Sequence, residues 1–236
     1  MLYRLRAPAQ TLRHPARRHI HLHPALGFRT LSLYNDNVKN MNKLPHRFIV
    51  SRRPKEYLEQ GPSHCGVYSV KAVLEAYNKV TGVKPEDFHT NWVSRITGAV
   101  LHPDYLVRIV KSYALEAKYG TVNHLSDDKK IMHLKSMLSK DVPVILMVGN
   151  GYQRNGEYSR LKAAIVGHII TVWGYDDGEG VFFMYDSAVP KEHYASNVPI
   201  GNIKRTYEQV LRDWYGAFPS RLLWRGSFRY IEVGSI

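Results

Sequence analysis

Along this chain of 236 residues the spacing of apolar side chains changes once, near residue 140, and that change restricts the architectures open to it. Before it, apolar residues recur every three or four positions. Val67, Val70, Val73, Leu74, Tyr77 and Val80 follow Cys65 on one helix face, with Gly82 as a stop. Pro103 and Asp104 open a second helical segment, carried by Leu106, Ile109, Val110 and Tyr113 and expected to end near Gly120. Ser126 reads as the N-cap of a third, with Asp127 and Asp128 in its first turn and Ile131, Leu134 and Leu138 behind them. After residue 140 the runs shorten and fill with β-branched residues. Pro143 to Val148, ended by Gly149-Asn150-Gly151, predicts a buried strand. His168–Tyr175 and Gly180–Asp186, separated by Asp176-Asp177-Gly178, predict a hairpin. Tyr207, Val210, Leu211 and Trp214 suggest a late helix, and Phe228 to Val233 a closing strand. Helices first and antiparallel strands after imply an α+β fold, a helical half packed on an antiparallel sheet.

With 44% hydrophobic residues, the chain can bury one ordinary core, expected over residues 41–236. Its single cysteine excludes an intrachain disulfide and any zinc cluster built on thiolates, and no cofactor or metal is expected. The net charge of +13 is unevenly spread, since residues 1–40 hold seven Arg or Lys against one acid, Asp36. The rest contains no run of five like charges, so no nucleic-acid partner is expected. No window approaches eighteen consecutive apolar residues, which argues against a membrane-spanning helix.

Met1–Asn40 is rich in Arg and His and interrupted by Pro8, Pro15 and Pro24, and it lacks the continuous apolar stretch of a secretory signal. It reads as a disordered basic leader, with a transit-like segment or a start at Met41 as alternatives. A cytoplasmic location is the expectation, organellar and exported ones staying open. Deleting residues 1–40 is expected to leave activity and unfolding temperature nearly unchanged; a clearly lower unfolding temperature would contradict this.

Cys65 lies in Gln60-Gly61-Pro62-Ser63-His64-Cys65-Gly66, at the entrance of the first predicted helix. A thiol nucleophile must be a thiolate near neutral pH, whereas a free cysteine titrates at about 8.5. A helix N-terminus and a neighbouring imidazolium both lower that value. His64 and His168 are the candidates for the imidazole. Adjacency counts against His64, while His168 opens a predicted strand whose backbone can hold its ring. The imidazole needs an orienting acceptor, and the hairpin puts Asp186 at the same end as His168, with Asp176 and Asp177 in the turn at the other end. Gln60 and the Cys65 amide offer two oxyanion donors. Gly66 and Gly167 are expected to admit the substrate backbone. His64, His102, His124, His133 and His193 have no partner readable from sequence and are taken as surface or loop residues.

This pattern of Gln60, Cys65-Gly66 at a helix start, a strand led by Pro143, Gly167-His168 entering a strand that ends Gly174-Tyr175-Asp176-Asp177, and Tyr185-Asp186, resembles the papain-like cysteine peptidases. The branch it resembles most is that of the bacteriocin leader (double-glycine) peptidases. The resemblance implies a papain-like fold over about residues 46–234 and a Cys-His-Asp triad of Cys65, His168 and Asp186, with Gln60 in the oxyanion hole. It also implies a peptide or protein substrate. Two departures stand out: Ser187 follows the aspartate where that branch often has proline, and no transporter segment accompanies the domain. The expected activity is thiol-dependent hydrolysis of peptide or amide bonds. Acyl transfer through the same intermediate and a catalytically silent binding module are the alternatives. Oligomeric state and cleavage preference have no readable signature, although residues 149–166 and 187–203 are the expected contributors to specificity.

Overall fold

The computed structural model describes residues 44–234, apart from 101 and 154, so the expectations for the basic leader lie outside the described residues. Strands β1 (Arg47–Ile49), β2 (Glu116–Thr121), β3 (Val144–Gly149), β4 (Gly167–Asp176), β5 (Val181–Tyr185), β6 (Ile203–Thr206) and β7 (Arg229–Gly234) form one sheet. The order is β2-β7-β3-β4-β5-β6, with β1 also paired to β4, and every pairing is antiparallel. The helices are α1 (Cys65–Ala76), α2 (Trp92–Thr97), α3 (Asp104–Ser112), α4 (Asp127–Leu138), α5 (Arg160–Ile165), α6 (Tyr207–Trp214) and α7 (Phe218–Leu223). The first four come before the central strands β3, β4 and β5, as the change of period predicts.

Helix α1 starts at the cysteine but owes little to local preference. Three of its residues are β-branched valines, and His64 before it sits at φ 80° with no side-chain cap bond. Burial holds it instead. Val67, Val70, Val73 and Leu74 are all fully buried, each contributing about 1.5–3 kcal/mol. Ser69 donates to the Ile169 carbonyl of β4 at 3.2 Å, which ties the helix, one turn after Cys65, to the residue following His168. Within α1, the buried Lys71 pairs with Glu75 at 2.5 Å and with Glu56 at 2.7 Å, joining the helix to the segment that leads to Gln60.

Two expectations need correction. The second helical segment does not reach Gly120: α3 ends at Ser112, Ala114 turns the chain at φ 53°, and β2 follows, paired with β7. From Leu115 the inward residues alternate with outward ones, a period of two that the preceding helical spacing masks. Gly66 is buried and faces the core, not a substrate. A Cβ there would lie 3.1 Å from Val100 and 3.2 Å from Leu106, so its lack of a side chain lets α1 approach α3.

Candidate active site

The long strand β4 positions His168. Its first six residues pair with β3, placing His168 opposite Val148, and β5 runs back along its other edge with Thr171 opposite Tyr185. Asp186 leaves β5 one residue later, diagonal to His168 at the same end of the hairpin, within reach of a side-chain contact. His168 Nε2 and Asp186 Oδ1 are 2.7 Å apart, and both residues are buried. The Cys65 sulfur interacts with the same imidazole, and with Nε2 engaged by Asp186 the other nitrogen, Nδ1, is left for it.

The electrostatics of the three groups reinforce one another. Burial disfavours a charge on His168, but the Asp186 carboxylate and the Cys65 sulfur outweigh it and raise the imidazole above its ordinary value. Burial likewise pushes the Asp186 carboxyl up, yet His168 and Arg205 together hold it well below the usual carboxylate range. Asp186 is anchored on every side. Oδ1 also accepts from the Ala188 amide at 2.9 Å, and Oδ2 accepts from the Arg205 guanidinium. The Asn202 side chain accepts from the Asp186 amide at 2.9 Å and donates to its carbonyl at 2.8 Å.

Gln60 is held beside this group by Ser187. Its backbone N–H donates to the Ser187 carbonyl at 2.8 Å, and the Ser187 hydroxyl donates to Gln60 Oε1 at 2.5 Å. With Oε1 engaged, the amide NH2 is left as the free face of the side chain. At the helix entrance the His64 carbonyl accepts from Val67 and Tyr68 at 3.0 and 3.2 Å. The amides of Cys65 and Gly66 precede those donors at the helix start, where backbone N–H groups have no intrahelical acceptor.

Gln60, Cys65 and His168 line a cleft of about 830 Å³. The two loops expected to shape specificity do line it, through Tyr152 and Val166 in one and Ala188 to Pro190 in the other. Two further walls escape a reading of the sequence: Gly98 to Val100 after α2, and Pro219, Ser220, Leu223 and Trp224 around α7. Gly167 does reach the cleft, but a Cβ on it would meet the Ser220 hydroxyl at 2.6 Å, so it also makes room for α7.

The remaining sequence candidates separate cleanly. His64 is no loose loop residue: its ring bridges the Ser63 hydroxyl at 2.7 Å and the Arg95 carbonyl at 2.8 Å, which holds its left-handed backbone in place. His133 is half-buried against Tyr230. Asp176 accepts from the turn amides of Gly178 and Glu179, and Asp177 pairs with Lys135, so neither faces His168. Ser187, Asn202 and Arg205 are the contributors that sequence reasoning missed. Asp186-Ser187 in place of Asp-Pro is the one signal that marked any of them. Among the described residues no three His, Cys, Asp or Glu side chains are grouped to hold a metal ion, and no helix is long and apolar enough to cross a membrane.

The family model described as Peptidase C39 like family matches residues 36–214. Among solved structures, Xylellain, a cysteine protease from Xylella fastidiosa, is similar over 84% of this chain and 89% of its own, at 13% identity and a TM-score of 0.52. A double glycine motif protease from an AMS/PCAT transporter, in complex with the leader peptide, is similar over 80% of this chain and 99% of its own, at 17% identity and a TM-score of 0.46. No curated protein matches. The α+β architecture expected from the sequence, a helical half on an antiparallel sheet, is the papain-like fold that the Xylellain likeness reports.

Proposed function

This chain belongs to the Peptidase C39 like family and is a cysteine-type peptidase; from that premise we propose that it cleaves peptide bonds through an acyl-enzyme on Cys65, with His168, Asp186 and Gln60 completing the machinery. The observation that carries the reading is the buried His168 Nε2 to Asp186 Oδ1 hydrogen bond of 2.7 Å, with the Cys65 thiol on the same ring.

In this mechanism the sulfur proton passes to His168 Nδ1, a transfer that the Asp186 charge behind the ring favours, which gives a thiolate and an imidazolium. The thiolate attacks the scissile carbonyl carbon, and the electron pair of the C=O bond moves onto oxygen. That oxyanion is met by the Cys65 N–H and the free NH2 of Gln60, donors of a kind each worth about 10²–10³ in rate. Collapse of the tetrahedral species breaks the C–N bond while His168 gives its proton to the departing amine, leaving a thioester. Water then attacks the thioester as neutral His168 takes its proton, and a second collapse frees the carboxylic acid and restores the ion pair.

The cleft suits an extended polypeptide. Apolar side chains that line it stand exposed, among them Val166 and, on α7, Leu223.

The test is the rate of iodoacetamide labelling of Cys65 across pH 4–9, in the wild type and in His168→Ala. The expected result is a reactive plateau extending well below the free-thiol range, lost in the variant. An ordinary titration near pH 8.5 in both proteins, or no labelling at all, would point to a closed or silent site and overturn the reading.

A further inference from the structure

Behind Asp186 lies a chain of alternating charges that the proposed mechanism does not use. Arg205, on β6, donates to Asp186 Oδ2 and places its other guanidinium nitrogen 3.6 Å from Asp213 Oδ2. Asp213, on α6, accepts from Arg212 Nε at 3.1 Å and from the Tyr158 hydroxyl at 2.7 Å. The Tyr152 ring covers the Arg205 guanidinium at 4.2 Å. Arg205 and Asp213 are buried, 6% and 1% exposed, so water screens their charges little. Their placement is built locally. Thr206 and Gln209 form a reciprocal capping box at the start of α6, which fixes the chain between the arginine on the strand and the aspartate near the helix end.

A clasp between β6 and α6 needs no contact with the site, and an orienting aspartate needs no cation on its second oxygen. Here one guanidinium does both. We propose that Arg205 and Asp213 are positioning residues that set, with opposite signs, the pH range over which Cys65 and His168 persist as an ion pair. The effect is electrostatic and rests on the thiol mechanism proposed above. Arg205 offsets part of the Asp186 charge, which weakens the hold on the imidazolium proton and favours the thiolate at lower pH. Asp213 offsets part of Arg205 and so works the other way. The other groups around the pair are Cys65 on α1, Arg212 on α6, and Tyr185 and Tyr194, which adjoin Asp186. Burial raises both of these tyrosines above their ordinary value, so they keep their protons throughout pH 4–9. His64 and His193 also line the cleft, but they are common to every protein compared and cancel in the differences.

The experiment is the pH profile of iodoacetamide labelling of Cys65 in the wild type, Arg205→Met, Arg205→Lys and Asp213→Asn, with kcat and KM for a peptide substrate beside it. Removing the cation in Arg205→Met is expected to move both edges of the labelling plateau upward by about one pH unit. Arg205→Lys, which keeps the charge, should stay close to the wild type. Asp213→Asn should move the edges the opposite way, by a smaller amount, and it keeps the proposal testable if Arg205→Met does not fold. Profiles that superimpose on the wild type, or that move in the same direction for the two neutralised positions, overturn the proposal. So does a rise in KM alone with unchanged labelling, which would make Arg205 a substrate contact. A wild type without a plateau instead overturns the thiol mechanism itself, so the two failures are told apart.

Discussion

Cys65→Ala is expected to abolish peptide hydrolysis, with kcat lowered by at least about 10⁴-fold, while the protein remains folded. The loss is large because no other group on the chain can take over: Cys65 is its only thiol, and water must otherwise attack the amide without a covalent intermediate. The small effect on stability follows from the position. Cys65 is only half-buried and opens α1, where alanine is a good helix residue, and the substitution removes a single hydrogen bond to His168, worth about 1 kcal/mol. For a domain of this size that is a shift of roughly 2–4 °C in unfolding temperature. The check is hydrolysis of a peptide panel alongside a calorimetric melt. Activity that survives the substitution sinks the thiol mechanism, whatever the pH profile of labelling shows.

Asp186→Ala should do two things at once, and they separate its role from that of an ordinary turn residue. The rate should fall by about 10²–10⁴-fold, because the imidazole loses the acceptor that fixes its orientation and stabilises its charged form. The fold should lose about 3 kcal/mol, because the substitution leaves the buried Arg205 facing an apolar methyl group with only Asp213, at 3.6 Å, to balance it. The pH dependence has a definite sign. The Asp186 carboxyl is depressed in the folded protein, so its contribution is present above about pH 4 and is lost as the pH falls through the lowered folded value. The His168 imidazole is raised, so its contribution is full below about pH 6.5 and is lost as the pH rises through the raised folded value. The stability gap between wild type and Asp186→Ala is therefore widest between about pH 4 and 6.5 and narrows on the alkaline side. Denaturant titrations at a series of pH values measure it. Asp176→Ala serves as the comparison, and a silent Asp186→Ala with a slow Asp176→Ala would reassign the orienting role.

How much of this could be read from the chain depends on how local each feature is. The entry of α1 at Cys65, the span of α6 and the hairpin of β4 and β5 follow from apolar spacing within windows of about a dozen residues. Because the hairpin reverses in a short turn, placing His168 and Asp186 at one end needed no knowledge of the rest of the molecule. The strands β1, β2 and β6 were not legible in the same way. β1 and β6 are only three and four residues long, β1 and β2 lie beside partners far along the chain, and only some residues of each face inward, so local periodicity carries too little signal.

What the amino-acid sequence determined by itself is the order of helices and strands, the α+β class, and a thiol at a helix start with a histidine and an aspartate at one hairpin end. Tertiary structure alone decided what surrounds them. Ser187 meets Gln60 across 127 residues of chain, and Arg205 reaches Asp186 while also facing Asp213 on the next helix. It also decided that Gly66 serves the packing of α1 on α3 and that the cleft is walled by the segments after α2 and around α7. The physical reason is that period and turn chemistry are properties of neighbouring residues. The partner of a buried polar group is chosen only when distant segments close the core and every such group must find one.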